Sequence, residues 1–280
     1  MNRISCFLLV AMFSADLTYG QSESDTLNLD QLNQQLDNPL SRFWSLILQD
    51  NINWKTGTAV QEDFTTNALF FQPSLPAPIG KGNMLLIRPV FPIITAPQVG
   101  ANGEVSDKTT GFGDIQVFSL YGPDKKGGLI WGAGLTFIFP TATSDELGEG
   151  KYQMGPAFML LNITKKWTSG TIIQYWNDIG GDPNRPATKR MDIQYIIRKQ
   201  IPGAGMSIGM GPTILIDFTA PEGEKVTFPI GLGITKTSMI GKTPLKWRIE
   251  PQYTIIRPES LGTKWTLRIQ IAPIIKSPFL

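Results

Sequence analysis

The sequence predicts an all-β fold: an antiparallel transmembrane β-barrel of about 12 strands preceded by a short N-terminal amphipathic helical segment. Three observations lead there. Charged residues make up 17% of the chain, below the ~25% of ordinary soluble domains. The hydrophobic share is nevertheless only 41%, so the low charge does not come from long apolar helices. Apolar and polar residues alternate along many segments, and the connections between those segments alternate between short and long.

Residues 1–20 read as a signal peptide. Arg3 gives the positive start, Ile4 to Phe13 the apolar run, and Thr18 and Gly20 the small residues before a cut at Gln21. The run is too short to span a bilayer. Cys6 is the one cysteine. It falls in this leader, so the mature chain has no thiol for disulfides or cysteine metal sites.

Residues 21–50 read as helical. Leu29, Leu32 and Leu36 recur at helical spacing. Asn38-Pro39 resembles an N-cap followed by a first-turn proline. Leu40, Phe43, Trp44 and Ile47 then form a second stripe.

Residues 51–280 read as the barrel. Met191, Ile193, Tyr195 and Ile197 fall on one face, with Arg190, Asp192, Gln194 and Arg198 on the other. Leu245, Trp247, Ile249, Tyr253 and Ile255 alternate with Lys246, Arg248, Glu250, Gln252 and Thr254. Leu267, Ile269 and Ile271 alternate with Thr266, Arg268 and Gln270. Such segments exceed the ~5–6 residues usual in soluble sheets and reach the ~9–11 that tilted membrane strands need.

Eleven strands are expected at 67–78, 82–95, 111–121, 128–143, 152–163, 167–180, 188–200, 205–218, 225–240, 243–256 and 263–275. Gaps such as 79–81, 164–166 and Gly241-Lys242 are short, whereas 96–110, 144–151 and 181–187 are long. Short periplasmic turns and long outer loops are the habit of outer-membrane barrels. An even count then requires one more strand before the first, for which Trp54 to Val60 is the candidate, and it puts both termini in the periplasm. Trp131, Trp167, Trp176, Trp247 and Trp265 fall near expected strand ends, as interfacial girdles require.

The charge pattern narrows function. A net charge of +2 with no basic, aromatic-interleaved run argues against nucleic acid. The chain has no histidine, so the G-x-S-x-G match at 205–209 lacks a base as well as a strand-to-helix turn. Asp217 and Glu250 are carboxylates without a paired nucleophile, and no cofactor is expected. In Ile240-Gly241-Lys242-Thr243 the position that a phosphate loop needs as glycine is Lys236. The acidic stretch 144–149 reads as an exposed loop, with an oxygen-only calcium site as the other reading.

Seven charged residues are expected to face the lumen: Arg88, Arg190, Asp192, Arg198, Arg248, Glu250 and Arg268. An arginine facing lipid near the midplane costs about 2–4 kcal/mol, so a polar lumen is the economical placement. These groups either select a solute or pair with one another. A barrel this narrow can also be filled by side chains or by the N-terminal segment.

Several stretches resemble a family of outer-membrane barrels described as transporters and associated with the meta pathway of phenol degradation, some of whose members are mislabelled neuromedin U. They are NPLSRFWSLILQDNINW (38–54), NALFFQPSLPAPIGKGNMLLIRPVFPIIT (67–95), GFGDIQVFSLYGP (111–123), GLIWGAGLTFIFPTATSDELGEGKYQMGPA (128–157), WNDIGGD (176–182) and WTLRIQIAPIIKSPF (265–279). The resemblance implies outer-membrane lipid and the barrel assembly machinery as partners, and a channel or transporter for small, hydrophobic or aromatic solutes. Phe279 followed by Leu280 departs from the terminal aromatic of such barrels. The competing reading is a non-conducting surface protein with a binding or structural role; an enzyme is a distant third.

Overall fold

The computed structural model describes residues 29–279. The expected signal peptide therefore lies outside the described residues. One helix, α1 (Leu29–Gln35), precedes β1 (Phe43–Thr56), β2 (Phe64–Pro78), β3 (Asn83–Val99), β4 (Val105–Phe112) and β5 (Ile115–Pro123). There follow β6 (Gly128–Phe139), a 3-10 turn at Asp145–Leu147, β7 (Lys151–Ile163), β8 (Trp167–Gly181) and β9 (Lys189–Ile201). The chain ends with β10 (Met206–Met210), β11 (Thr213–Asp217), β12 (Val226–Gly231), β13 (Gly233–Ile240), β14 (Thr243–Ile256) and β15 (Gly262–Lys276).

These pieces make a closed, antiparallel barrel of 12 strands, because β4/β5, β10/β11 and β12/β13 are each one strand with a break. The break after β10 falls at Gly211-Pro212, where proline has no N–H to give the ladder. Closure is made by β1, which pairs β15 from Phe43↔Lys276 to Thr56↔Gly262 and pairs β2 on its other edge.

Two expectations are corrected here. The helical reading of residues 21–50 holds in the described part only for α1. From Phe43 the chain is already strand, so the twelfth strand is β1 rather than 54–60. The segment FWSLILQD is apolar at both periods, and pairing along two strand edges decides between them. Residues 96–110 are likewise not an open loop. β3 runs on to Val99 and pairs β4 up to Val99↔Val105, leaving a turn at 100–104.

Connections at one end are the short turns 79–82, 124–127, 164–166, 202–205 and 241–242. The other end carries 57–63, 140–150, 182–188, 218–225 and 257–261 and the β3–β4 hairpin. Gly241, at φ 58°, supplies the left-handed residue that a two-residue hairpin needs. β1 starts and β15 finishes at the short-turn end.

The outside of the barrel is an apolar belt that includes Leu48, Phe71, Ile87, Leu135, Phe158, Leu160, Ile197, Ile249 and Ile271, with Trp131, Trp167, Trp265 and Tyr152 also exposed. No helix among the described residues is long and apolar enough to cross a membrane; the apolar belt is carried by the strands of the closed barrel. Trp176, expected in a girdle, instead points inward and is fully buried.

The inside is not uniformly polar. Met84, Leu86, Phe118, Leu120, Ile130, Met159, Leu161 and Ile172 form a packed apolar cluster on β3 and β5–β8. On β14 the inward positions Lys246, Arg248, Glu250, Gln252 and Thr254 are all buried and all polar. Thus one side of the interior is hydrophobic core and the other a charged wall.

Candidate functional site

The stretch from α1 to Ser41 lies across the barrel mouth at the short-turn end. On one side Asp30 accepts the backbone N–H groups of Gly203 (2.5 Å) and Gly205 (2.7 Å) in the β9–β10 turn. On the other, Leu40 is fully buried in the apolar cluster, and Asn38 donates to the Lys125 carbonyl at 3.0 Å in the β5–β6 turn. Asn38 also accepts the Leu40 N–H at 3.0 Å, which turns the chain toward β1. The segment therefore bridges opposite walls and plugs the mouth.

Its central contact is a buried network. Asp37 accepts hydrogen bonds from Arg198 Nη1, Lys246 Nζ and Thr168 Oγ1, each at 2.8 Å, and from Gln200 Nε2 at 3.2 Å. Asn33 donates to Gln200 Oε1 at 3.0 Å and accepts from Thr237 Oγ1 at 2.9 Å. Lys246 also donates to the Asn33 carbonyl at 3.3 Å. Burial opposes the Asp37 charge, but Lys246 and Arg198, with hydrogen bonds from Lys246 and Thr168, outweigh it. The carboxyl is held well below the usual carboxylate range.

Above the plug lies a cavity of about 470 Å³. Leu36, Asp37, Asn38 and Pro39 contribute to its lining, and the wall supplies Phe70, Val90, Phe118 and Ile172 on one side and Arg198, Lys246, Arg248 and Arg268 on the other. Such a two-sided space suits a small solute with an apolar body.

The seven charged residues expected inside sit as follows. Arg88, Asp192, Arg198, Arg248 and Arg268 line this cavity. Arg88 lies 5.6 Å from the Phe118 ring centroid and donates to Ser74 Oγ at 3.4 Å. Glu250 is fully buried behind Arg248, accepting from its Nε at 2.5 Å and from its Nη2. Arg190 stands apart, toward the long-loop end, paired with Glu149 at 2.7 Å and stacked over Trp176 at 5.1 Å.

Ser207, centre of the G-x-S-x-G match, lies on β10 and is buried, so no nucleophile elbow is formed. In the acidic loop the carbonyls of Asp145, Gly148 and Glu149 receive the Arg185 guanidinium, and the Glu149 carboxylate receives Arg190. Cationic side chains thus occupy these three carbonyls and the Glu149 carboxylate.

Sequence reasoning missed Asp37, Asn33, Thr168, Gln200 and Lys246. Lys246 was readable from its alternation with Arg248 and Glu250. Asp37 had no local signal, since every wall group it touches is more than a hundred residues away.

No family model matches the chain, and no curated protein matches it either. Among solved structures it is similar to an outer membrane channel from Pseudomonas putida F1, with a TM-score of 0.59 and 14% identity, covering 83% of this chain and 94% of that one. TM-scores are lower with the beta domain of the Bordetella autotransporter BrkA (0.42, 13% identity, 82% and 97% coverage) and with a Pseudomonas aeruginosa FadL homologue (0.37, 7% identity, 88% and 94% coverage). The Pseudomonas putida likeness is one of fold.

Proposed function

We propose that this protein is an outer-membrane channel or transporter for small solutes, with the long loops outside, both termini in the periplasm and residues 1–20 removed as a signal peptide. The observation that carries this reading is a cavity inside a lipid-facing barrel whose short-turn mouth is crossed by a separate segment held by side-chain contacts. Such a segment can leave without unpairing a strand. The shared fold of an outer membrane channel adds support. The resemblance to barrels of the phenol meta pathway, together with Val90, Phe118 and Ile172 in the cavity, favours solutes with an apolar part.

The test is conductance of the refolded chain in planar bilayers, beside a variant whose plug is released by Asp37→Asn. Ion flow in either supports a channel. Sealed bilayers from both, with heat-modifiable mobility proving a folded barrel, favour the second reading: a non-conducting surface protein. The buried latch around Asp37 is the observation on that side.

A further inference from the structure

Three arginines from three strands meet at one glycine. Arg198 on β9, Arg248 on β14 and Arg268 on β15 all reach Gly211, in the break between β10 and β11. Arg268 Nη1 donates to the Gly211 carbonyl at 2.8 Å. A side chain begun at Gly211 would meet Arg198 Nη2 at 3.0 Å and Arg248 Nη2 at 3.5 Å. The position is kept empty by glycine while the guanidinium groups crowd round it.

Negative charge here falls short of positive. Glu250 is committed: Arg248 takes one oxygen, and the Gly211 N–H and Gln252 share the other, both at 3.1 Å. Asp37 is shared between Arg198 and Lys246. Arg268 is answered by a carbonyl, and its Nε, like that of Arg198, is buried without a hydrogen-bond partner. Two carboxylates, Asp37 and Glu250, therefore answer Arg198, Lys246, Arg248 and Arg268. A third, Asp192 on the same cavity, is matched in number by Arg88, so the lining keeps an excess of positive charge. Like charges this close and this dry repel one another unless an anion joins them. Guanidinium forks match the planar oxygens of a carboxylate.

We propose that the arginine cluster around Gly211 binds the carboxylate of a small organic acid inside the barrel, its apolar body turned toward Val90, Phe118 and Ile172. Asp37 already shows the wall holding a carboxylate between Arg198 and Lys246. The proposal rests on the channel reading and names its solute class.

The test uses the full chain folded in detergent, titrated calorimetrically at fixed ionic strength with butyrate, 1-butanol or inorganic phosphate. Butyrate should bind, and 1-butanol should bind about tenfold or more weakly, the value of hydrogen bonds to a charged group. Arg268→Gln should bring butyrate down toward the alcohol and leave the alcohol unchanged. Equal affinities for butyrate and 1-butanol in the native protein would overturn the proposal; so would phosphate binding as tightly as butyrate, which marks a general anion site. The native comparison stands even where the variant does not fold. Glycerol flux into proteoliposomes separates the two readings. Flux without butyrate preference sinks the acid site alone, and butyrate binding without any flux sinks the channel alone.

Discussion

Asp37 and Lys246 stand 209 positions apart in the chain and meet at 2.8 Å inside the barrel, with Arg198 at the same distance on the same oxygen. Two strands far from the N-terminus thus hold the plug by one carboxylate. Removing one member of a buried ionic group costs about 3–5 kcal/mol, because the remaining charges are left uncompensated. Asp37→Asn should therefore free the plug while leaving every strand pairing intact. The check is single-channel conductance near neutral pH, with a larger or more frequently open state expected for the variant. Unchanged conductance from a folded variant would mean that the latch does not control the mouth.

The same contact fixes a pH dependence. The folded carboxyl of Asp37 lies below its ordinary value, so its stabilising effect is complete above the usual aspartate pKa of about 4. It is lost only as the pH falls through the depressed value. Conductance of the native protein should accordingly stay level as far as this latch governs it, from about pH 8 down to about pH 5. A gating transition near neutrality that survives in Asp37→Asn would assign control to another group.

Leu40 anchors the other side of the plug. It is fully buried among Met84, Leu86 and Leu120. Truncating such a side chain costs about 2–5 kcal/mol. Leu40→Ala should loosen the mouth at the β3–β5 wall and expose residues 29–41 to protease added from the short-turn side of proteoliposomes. Combined with Asp37→Asn, the effect should exceed either change alone, because the two contacts sit on opposite walls.

The barrel was legible because a lipid-facing sheet imposes a strict period of two, and the alternation at 190–198 and 245–255 records it directly. The twelfth strand was inferred from parity of the turns, yet its residues were misread. In Phe43 to Asp50 both faces carry apolar side chains, so period alone cannot tell strand from helix. Alternation also sets the charges of β9, β14 and β15 on one face of each strand. It does not reveal the apolar half of the lumen, although the run AFMLLNI in β7, apolar on both faces, marks a strand with lipid on one side and packed core on the other. The plug's partners were invisible for a different reason. They are set by tertiary approach across the lumen, and no local pattern encodes which strand an aspartate in the N-terminal segment will meet.

The long loop 140–150 is held at the opposite mouth by Asp114, which sits where β4 gives way to β5. Its Oδ1 accepts the N–H groups of Thr141 and Ala142, each at 3.1 Å, and its Oδ2 that of Glu149 at 2.7 Å. Arg185 closes the loop from the other side through the Asp145, Gly148 and Glu149 carbonyls. Three bonds to one charged acceptor, each worth about 1.5–3 kcal/mol, cannot be replaced by alanine. Asp114→Ala should therefore release the loop, and proteinase K should cut within 140–150 much faster than in the native protein. The strands do not depend on this carboxylate, so the barrel's heat-modifiable mobility should persist. Gly148→Val offers an independent route to the same state, since its side chain would collide with Asp114 and Ala142. Equal cutting rates in native protein and both variants would show that the loop is held by something other than Asp114.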